Sequence, residues 1–596
     1  MLRRRVFSPD KSLTMDHRYA HCLSIVDSRE QEVESAGMHP SATIMTVVHF
    51  SHHIPAPAKR FRKGRILKCI PTVSLAGLIG LTVVAANNAA LSATTAEAES
   101  NKDKEPSAEN SAEKRKGSDK PIPKEESSIT HHRVTIGNQE IPYTATAGNL
   151  LIRKDDDPIA SMFYVAYTRE GATNLDKRPV TFFYNGGPGS ATIWLHMGSF
   201  SPRIVQTANA EPTGPAPYNV VNNGDSLVDR SDLVFIDAVG TGFSQIVGKG
   251  TGTNFWGVDA DVETFGKFIT RYVTVNHRWN SPKVLFGESY GTPRSAALVY
   301  HLQEQGMHFN GVVLLSSILN FAKRAPGVDE AFVDMLPSYA AIAWFHNKVA
   351  KKQADMAAFL QQARDFASGE YAQALAKGQT LPAAQADAIA NRLHEFTGLS
   401  VPYLRNANLR VSPNRFRKEL LRDDRRTVGR YDGRFEGIDF DAAGEEPSSD
   451  PSSTAIMGAF TAAFNSYLAE ELHYSHDLPY QVRSMEANRN WDMKHKLPEH
   501  FNLQRPYPLP CTVDDLAQAM RENPGLKVLS ANGYFDLATP FFGTERDING
   551  AELDQSLCGN VTFRYYPSGH MVYLNPEARK AFRADLSAFY DSAAAP

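Results

Sequence analysis

Short apolar runs recur along the chain between residues 180 and 566, and several are apolar at both alternating positions. Strands that are covered on both faces of a sheet have this pattern. Helical segments follow some of the runs, as at Thr292–Gln305 and Pro576–Tyr590. The alternation predicts a mostly parallel central sheet with helices on both faces. The predicted strands are Val180–Tyr184, Leu233–Asp237, Lys283–Phe286, Gly311–Leu315, Lys527–Ser530 and Val561–Tyr566.

Residues 319–500 break this alternation, because the segment is mainly helical and contains few strand-like runs. We expect a helical insertion between two strands of a core that comprises residues 131–318 and 501–596. The insertion is expected to cover the substrate entrance as a cap; the alternative is a peripheral domain with no catalytic role. The predicted helices are Glu330–Val349, Gln353–Lys377, Pro382–Phe396, Pro413–Leu421 and Thr454–Leu472.

Residues 59–98 have the composition of a secretory signal. A basic cluster, Lys59–Lys68, precedes an uncharged apolar run, Cys69–Ala86, and small residues follow it. This order of basic, apolar and small residues is typical of secretory signals. The alternative is an uncleaved N-terminal membrane anchor, since the run approaches the length that spans a bilayer. We therefore expect a secreted or periplasmic protein.

The segments on either side of this signal have no pattern of a folded domain. Residues 1–58 lack periodicity, so we expect them to be non-structural, with the true start of the protein at Met38 or Met45. Residues 99–130 are rich in Ser, Pro, Lys and Glu and nearly free of large apolar residues. Such a segment cannot bury enough surface to fold, so it is predicted to be a disordered linker.

Composition excludes several classes of function. Hydrophobic residues make up 42% of the chain, which is enough for a large core, and the formal net charge is −3. This charge gives no reason to expect a nucleic-acid partner. No metal-binding or cofactor motif is present. Cys511 and Cys558 lie in the folded body, either as a disulfide or as two unpaired thiols.

Gly287-Glu288-Ser289-Tyr290-Gly291 lies directly between a predicted strand and a predicted helix. A serine on so tight a turn projects its hydroxyl clear of the sheet, and glycines two positions away permit the turn. This is the context of a nucleophile elbow in the α/β-hydrolase fold, with Ser289 as nucleophile. The alternative is an ordinary glycine-rich turn.

A serine hydroxyl needs a base to take its proton. In this fold the partners follow in the order serine, acid, histidine. His570 lies just after the last predicted strand, and Asp536 is the only carboxylate in the segment 532–536 that follows the strand before it. We therefore predict His570 as the base and Asp536 as the residue that orients it. The alternatives are a solvated loop histidine and a turn-capping aspartate.

The tetrahedral intermediate needs backbone donors for its oxyanion. The amide of Tyr290 is predicted to be one of them. The second is expected in the loop Asn185–Ser190, whose glycines let the backbone approach a ligand closely. The alternatives for this loop are a phosphate cradle and a plain tight turn.

Four ordered motifs together resemble the serine carboxypeptidase family. They are Asn185-Gly186-Gly187-Pro188-Gly189, Asp237-Ala238-Val239-Gly240-Thr241-Gly242-Phe243-Ser244, Gly287-Glu288-Ser289-Tyr290-Gly291 and Gly569-His570-Met571. The resemblance begins near residue 140 and runs to the C-terminus, with the insertion only loosely similar. The stretch Trp194–Phe200 resembles the bacterial branch of the family.

The resemblance implies that the protein removes C-terminal amino acids from peptides through an acyl-enzyme. It implies oxyanion donors at the amides of Gly187 and Tyr290. It also implies that the free carboxylate of the substrate is held by Asn185 and Gly186 and by Glu288. A carboxyl group that faces a carboxylate must be protonated to bind it, so activity is expected to be highest in mild acid.

The chain departs from the family pattern at Ser199, near which the family often has a second glutamate. The carboxylate-binding network is therefore expected to be weaker or built differently, with His196 or Arg203 as candidate contributors. Two alternatives stay open. The same triad can serve an esterase or an acyltransferase, or the fold can be that of a catalytically silent binding protein. The sequence predicts no oligomeric state.

Overall fold

The computed structural model describes residues 119–594. The predictions for residues 1–58 and for the secretory signal lie outside these residues, as does most of the linker. The strands are β1 (Ser127–Ile136), β2 (Gln139–Lys154), β3 (Asp157–Arg169), β4 (Val180–Tyr184), β5 (Arg203–Val205), β6 (Val220–Asn222), β7 (Asp232–Ile236), β8 (Gln245–Ile246), β9 (Lys283–Glu288), β10 (Gly311–Leu315), β11 (Thr427–Val428), β12 (Glu436–Gly437), β13 (Lys527–Gly533) and β14 (Val561–Tyr566).

The α-helices of the described residues lie mostly between strands of the sheet or in the insertion. They are α1 (Ile193–Gly198), α2 (Val258–Val275), α3 (Gly291–Glu304), α4 (Glu330–Phe345), α5 (Met356–Phe366), α6 (Ala372–Lys377), α7 (Ala383–Thr397), α8 (Val401–Asn406), α9 (Pro413–Glu419), α10 (Pro451–Glu470), α11 (Met485–Arg489), α12 (Val513–Glu522), α13 (Phe541–Asn549), α14 (Gln555–Cys558) and α15 (Pro576–Ala593).

One large sheet organises the core. Its strand order is β1-β2-β3-β7-β4-β9-β10-β13-β14, and β8 pairs with β3 beside it. The six strands from β7 to β14 are parallel, whereas β1, β2 and β3 extend the sheet antiparallel at one edge. The mostly parallel sheet with helices, expected from the apolar runs, is confirmed. The carboxyl ends of β4, β9, β13 and β14 therefore share one edge, where ligands bind in such sheets.

The sheet is covered on both faces by separate apolar clusters. Phe183, Phe235 and Phe286 stack on one face, with ring centroids 4.6 and 4.7 Å apart for the two pairs that Phe183 makes. Phe182 and Leu285 lie in the cluster on the opposite face. This burial on both sides explains why the central strands are apolar at successive positions.

The insertion lies in the chain between β10 and β13, and its helices α4 to α9 share an apolar cluster with Phe535, Leu537, Phe541 and Phe542 of the core. Its helix α4 packs against α5 and α7, and also against α13 of the core. The predicted helix Gln353–Lys377 is interrupted, because a π-helical turn at Ala367–Tyr371 with a non-helical Gly369 separates α5 from α6. The insertion is thus helical, as its pattern indicates, with one short ribbon formed by β11 and β12.

Two further features of the described chain bear on the sequence predictions. Strand β1 begins at Ser127, inside the segment predicted as linker, because its backbone pairs with β2 from Ser127 onward. Cys511 and Cys558 are both free thiols, so of the two alternatives the unpaired one applies in this structure.

No helix within residues 119–594 has the length and apolar character needed to cross a membrane.

Candidate active site

Ser289 lies on a strained turn between β9 and α3. Its φ of +60° is in the left-handed region, which a residue with a side chain rarely adopts. A Cβ at Gly287 would collide with the backbone of Gly291, and one at Gly291 would come within 2.8 Å of the Tyr184 carbonyl oxygen. The two glycines are thus sterically required, and the turn has the geometry of a nucleophile elbow.

The loop after β4 lies directly against this elbow. A Cβ at Gly186 would collide with the backbone nitrogen of Tyr290, so only glycine permits the approach. Gly187 follows with a φ of +109°, which again favours glycine. Within residues 119–594 neither the Gly187 amide nor the Tyr290 amide donates to a protein acceptor. Two unpaired amides beside a serine hydroxyl are suited to bind an oxyanion.

His570 and Asp536 form a buried pair on the loops after β14 and β13. The Nδ1 atom of His570 lies 2.7 Å from Oδ2 of Asp536. The hydroxyl of Thr539 donates to the same carboxylate oxygen at 2.7 Å, and the amides of Ala538 and Thr539 donate to the other oxygen. The carboxylate is therefore held by four donors in all, which fixes the ring of His570 in one orientation.

Burial and charge act on His570 in opposite directions. Desolvation disfavours the charged imidazolium, yet the charge of Asp536 and its hydrogen bond outweigh that effect and raise the pKa of His570 above its ordinary value. Ser289 and His570 line the same cavity, although no hydrogen bond between them is present in the described chain. Such bonds are often long without substrate and shorten when it binds.

The cavity has a volume of about 320 Å³ and is open to solvent. Core loops and the insertion contribute to it together. Its lining comprises Asn185, Gly186, Gly187, Pro188, Gly189, Ser190, Trp194, Glu288, Ser289, Arg430, Tyr431, Arg483, Ser484, Met485, Asn488, His570 and Met571. The sequence predictions Asn185, Gly186, Gly187, Glu288, Ser289 and His570 are thus brought together, while Tyr290 and Asp536 lie buried directly behind them.

Glu288 is a buried carboxyl group at the cavity wall. Desolvation raises the pKa of Glu288 to about 7, although the charge of His570 and hydrogen bonds from Tyr573 and Asn185 act to lower it. The Tyr573 hydroxyl donates to Glu288 Oε2 at 2.9 Å. Glu288 is therefore protonated in mild acid and can then donate a hydrogen bond into the cavity.

Asn185 is fixed by hydrogen bonds to its side chain and to its backbone. Its Oδ1 accepts from the Leu195 amide at 3.0 Å, which leaves the amide nitrogen of its side chain as a donor. Its backbone carbonyl accepts from Arg294, whose guanidinium is buried and paired with Asp261. Asn185 thus presents an oriented donor next to Glu288.

Sequence analysis considered His196, Arg203 and Ser199 in connection with the second glutamate of the family, and all three lie away from the cavity. His196 is buried among aromatic rings, bonds to the Tyr167 hydroxyl at 2.6 Å, and has its pKa lowered to about 3 by desolvation. Arg203 forms a bidentate pair with Glu471. Ser199 donates to its own helix, at Leu195 O. None of the three lines the cavity, whereas Tyr573, which sequence reasoning missed, contacts Glu288 directly.

Sequence analysis expected the insertion over the substrate entrance, but it did not identify which segments of the insertion line the site. Segment 430–433 lies between the acid loop and the histidine loop: the Leu537 amide donates to Arg430 O, and the His570 amide donates to Tyr431 O at 2.6 Å. The Asp432 carboxylate accepts from the Gly569 amide. A Cβ at Gly569 would collide with Asp432, which explains the glycine of the Gly-His-Met motif.

The second missed segment, 480–484, is joined to the core by backbone pairing. Gln481 exchanges two bonds with Gly242, and Val482 accepts from the Ala191 amide. Tyr480 donates to the buried Asp237 carboxylate at 2.8 Å. Neither segment 430–433 nor segment 480–484 has a periodic pattern in the sequence. Their roles depend on contacts with residues that are far away along the chain, so local patterns could not indicate them.

The parallel sheet, the elbow after a central strand and the acid and histidine on the loops after the last two strands define an α/β-hydrolase fold. Residues 137–561 match the model of one family in this class, described as serine carboxypeptidase. The match covers well over half of the chain, so the chain belongs to the serine carboxypeptidase family. Assignment to its bacterial branch stays a prediction.

The individual relatives and solved structures that resemble this chain have low sequence identity to it. Serine carboxypeptidase-like 45 of Arabidopsis thaliana is 27% identical over 209 residues, which are 33% of this chain and 42% of that protein. The matched region thus spans less than half of the length of that relative. Kex1(delta)p, a prohormone-processing carboxypeptidase from Saccharomyces cerevisiae, is 15% identical, with 75% of this chain and 91% of that chain covered and a TM-score of 0.45. A proline iminopeptidase from Mycobacterium smegmatis is 14% identical, with coverage of 75% and 98% and a TM-score of 0.32.

Proposed function

We propose that the protein is a serine carboxypeptidase that releases C-terminal amino acids from peptides through an acyl-enzyme, with a triad of Ser289, His570 and Asp536. The observation that carries the proposal is the meeting of three elements in one cavity: a nucleophile elbow, a histidine paired with a buried aspartate, and a buried carboxyl group that can be protonated. Membership of the serine carboxypeptidase family supports it.

In this mechanism the Ser289 oxygen attacks the last peptide carbonyl carbon, and Nε2 of His570 takes the hydroxyl proton. The amides of Gly187 and Tyr290 bind the oxyanion of the tetrahedral intermediate. Collapse breaks the C–N bond, and His570 gives its proton to the departing amine of the C-terminal amino acid. Water then attacks the ester carbonyl, loses a proton to His570, and the acid product leaves as Ser289 regains that proton.

Asn185 and Glu288 supply the recognition of a free C-terminus. The side-chain amide of Asn185 and the protonated carboxyl of Glu288 are hydrogen-bond donors that line the same cavity as Ser289. We assign the substrate carboxylate to these donors, with the backbone of Gly186 beside them. This assignment makes the protein an exopeptidase, because a main-chain carboxylate exists only at the C-terminal residue of a peptide.

Activity on peptides is expected to fall as the pH rises through about 7. Below the pKa of Glu288 its carboxyl group donates to the substrate carboxylate; above that pKa two carboxylates repel each other, so KM rises by about tenfold per pH unit. Activity is also expected to fall as the pH drops below the pKa of His570, because this base must be neutral to take the serine proton. Values of kcat/KM between pH 5 and pH 9 measure both limbs.

The matched control for this pH dependence is Glu288→Gln. Its amide group is a donor at every pH, so the rise in KM above pH 7 should disappear while the acidic limb stays. A simple ester substrate without a carboxylate should show no fall in activity above pH 7 with either protein, while the fall due to protonation of His570 should remain. An unchanged alkaline limb in the glutamine variant would contradict the assignment of Glu288.

The requirement for a free C-terminus separates this proposal from an esterase or an acyltransferase. We expect a peptide acid to lose residues stepwise from its C-terminus, and the same peptide with a C-terminal amide to be cleaved at least about 100-fold more slowly, because the carboxylate loses its donors. Mass spectrometry of both reactions at mildly acidic pH measures the difference. Rapid ester cleavage with both peptides intact would favour the esterase instead.

A further inference from the structure

Two arginines of the insertion line the cavity without a carboxylate partner. Arg430 and Arg483 are both partly exposed there. The Arg483 guanidinium donates to Ser453 Oγ at 3.1 Å, and the Arg430 guanidinium lies over the ring of Tyr431. Within residues 119–594 neither forms an ion pair, whereas the buried arginines Arg294 and Arg434 are each paired with an aspartate.

The two guanidinium groups form one cationic surface. Their central carbons lie 5.2 Å and 6.0 Å from the ring centroid of Tyr431, so they flank the same side chain. That ring lies 5.1 Å from the ring of His570. The surface is therefore next to the reacting centre, and the only carboxyl group in the cavity lining is that of Glu288.

The backbone holds both arginines in place. Arg430 lies in segment 430–433, where its amide donates to Asp450 and its carbonyl accepts from Leu537. Arg483 lies in segment 480–484, which forms a bridge with Ser190 in the oxyanion loop. The backbone positions of both cations are thus set before a ligand binds, and a planar guanidinium matches a carboxylate in bidentate geometry.

We propose that Arg430 and Arg483 form a subsite for an acidic side chain on one of the two residues that flank the scissile bond, so that peptides with Asp or Glu there are preferred substrates. This inference rests on the proposed carboxypeptidase function. The C-terminal carboxylate itself is assigned to Asn185 and Glu288, so the arginines have a second anion to bind.

The experiment uses peptide acids that differ only by Glu or Gln, first at the last position and then at the penultimate position. The two side chains are nearly isosteric, so the ratio of their kcat/KM values isolates charge. We expect a preference for Glu of about 10- to 100-fold at one of the two positions. The position with the larger ratio shows which residue contacts the arginines, and added salt should reduce that ratio.

The variants Arg430→Met and Arg483→Met should lower the Glu/Gln ratio, and the double variant should bring it close to one. Arg430→Lys and Arg483→Lys should retain part of it. Arg489→Met is the matched control, since this exposed arginine of α11 lies outside the cavity lining and should leave the ratio unchanged. Labelling of Ser289 by a serine-reactive phosphonate checks that each variant is folded.

Three results would overturn the subsite: a wild-type ratio near one at both positions, a ratio that survives in the double variant, or an equal loss in Arg489→Met. Failure of the underlying function has a different signature, because then none of the peptides, acidic or neutral, would be cleaved.

Discussion

Replacing Ser289 by alanine is expected to lower kcat for peptide cleavage by about a million-fold, the loss that follows removal of the nucleophile from a serine hydrolase. Within residues 119–594 Ser289 is the hydroxyl on the elbow between β9 and α3, which lies against the loop of Gly187, so we expect no other described hydroxyl to take its place. The residual rate should come from the oxyanion donors and from substrate binding alone.

Single-turnover and steady-state release of amino acids, measured with wild type and Ser289→Ala, test this expectation. Substrate affinity should change little, since Asn185 and Glu288 are untouched, and the melting temperature should stay close to that of the wild type. Ser556→Ala, at an exposed serine far along the chain, is the matched control. Cleavage that persists in Ser289→Ala would remove the serine from the mechanism.

Asp536→Asn is expected to lower kcat by about 10⁴-fold near neutral pH. The carboxylate accepts from His570 Nδ1 at 2.7 Å, and an amide at that position would favour the wrong tautomer of the ring. Loss of the negative charge would also lower the pKa of His570, because that charge is what keeps it raised. The acidic limb of the pH profile should therefore move to lower pH.

Thr539→Val provides a graded comparison. Its hydroxyl donates to Asp536 Oδ2 at 2.7 Å, but two backbone amides still hold the carboxylate when the hydroxyl is lost. We expect a loss of only about tenfold in kcat. Equal losses in Asp536→Asn and Thr539→Val, or an unshifted acidic limb in Asp536→Asn, would mean that Asp536 does not orient the base.

The parallel sheet and the candidate catalytic residues could be predicted from the sequence because both depend on local patterns. Strands buried on both faces are continuously apolar, and a tight strand-to-helix turn permits only small residues two positions before and two positions after Ser289. The order of serine, acid and histidine then restricts the partners to loops after late strands. Those loops meet in the structure, where Asp536 and His570 form a direct hydrogen bond.

What the sequence did not allow was the assignment of side chains that act across long separations. Tyr573 contacts Glu288 across 285 positions, and nothing around it marks it as part of the site. His196 has the residue type of a functional group, yet its pKa and its aromatic surroundings place it in the core. Arg430 and Arg483 have ordinary loop contexts, and only the folded insertion brings them to the cavity.

The position of segment 430–433 has a consequence for how the enzyme matures. The histidine loop is bonded to Tyr431 and Asp432, which belong to the insertion, and Gly569 has no space to move past them. A chain whose core has folded but whose insertion has not docked would hold His570 loosely beside Ser289. We therefore expect hydrolytic activity to appear late in folding. Until the insertion has docked, the protein should not cleave other polypeptides.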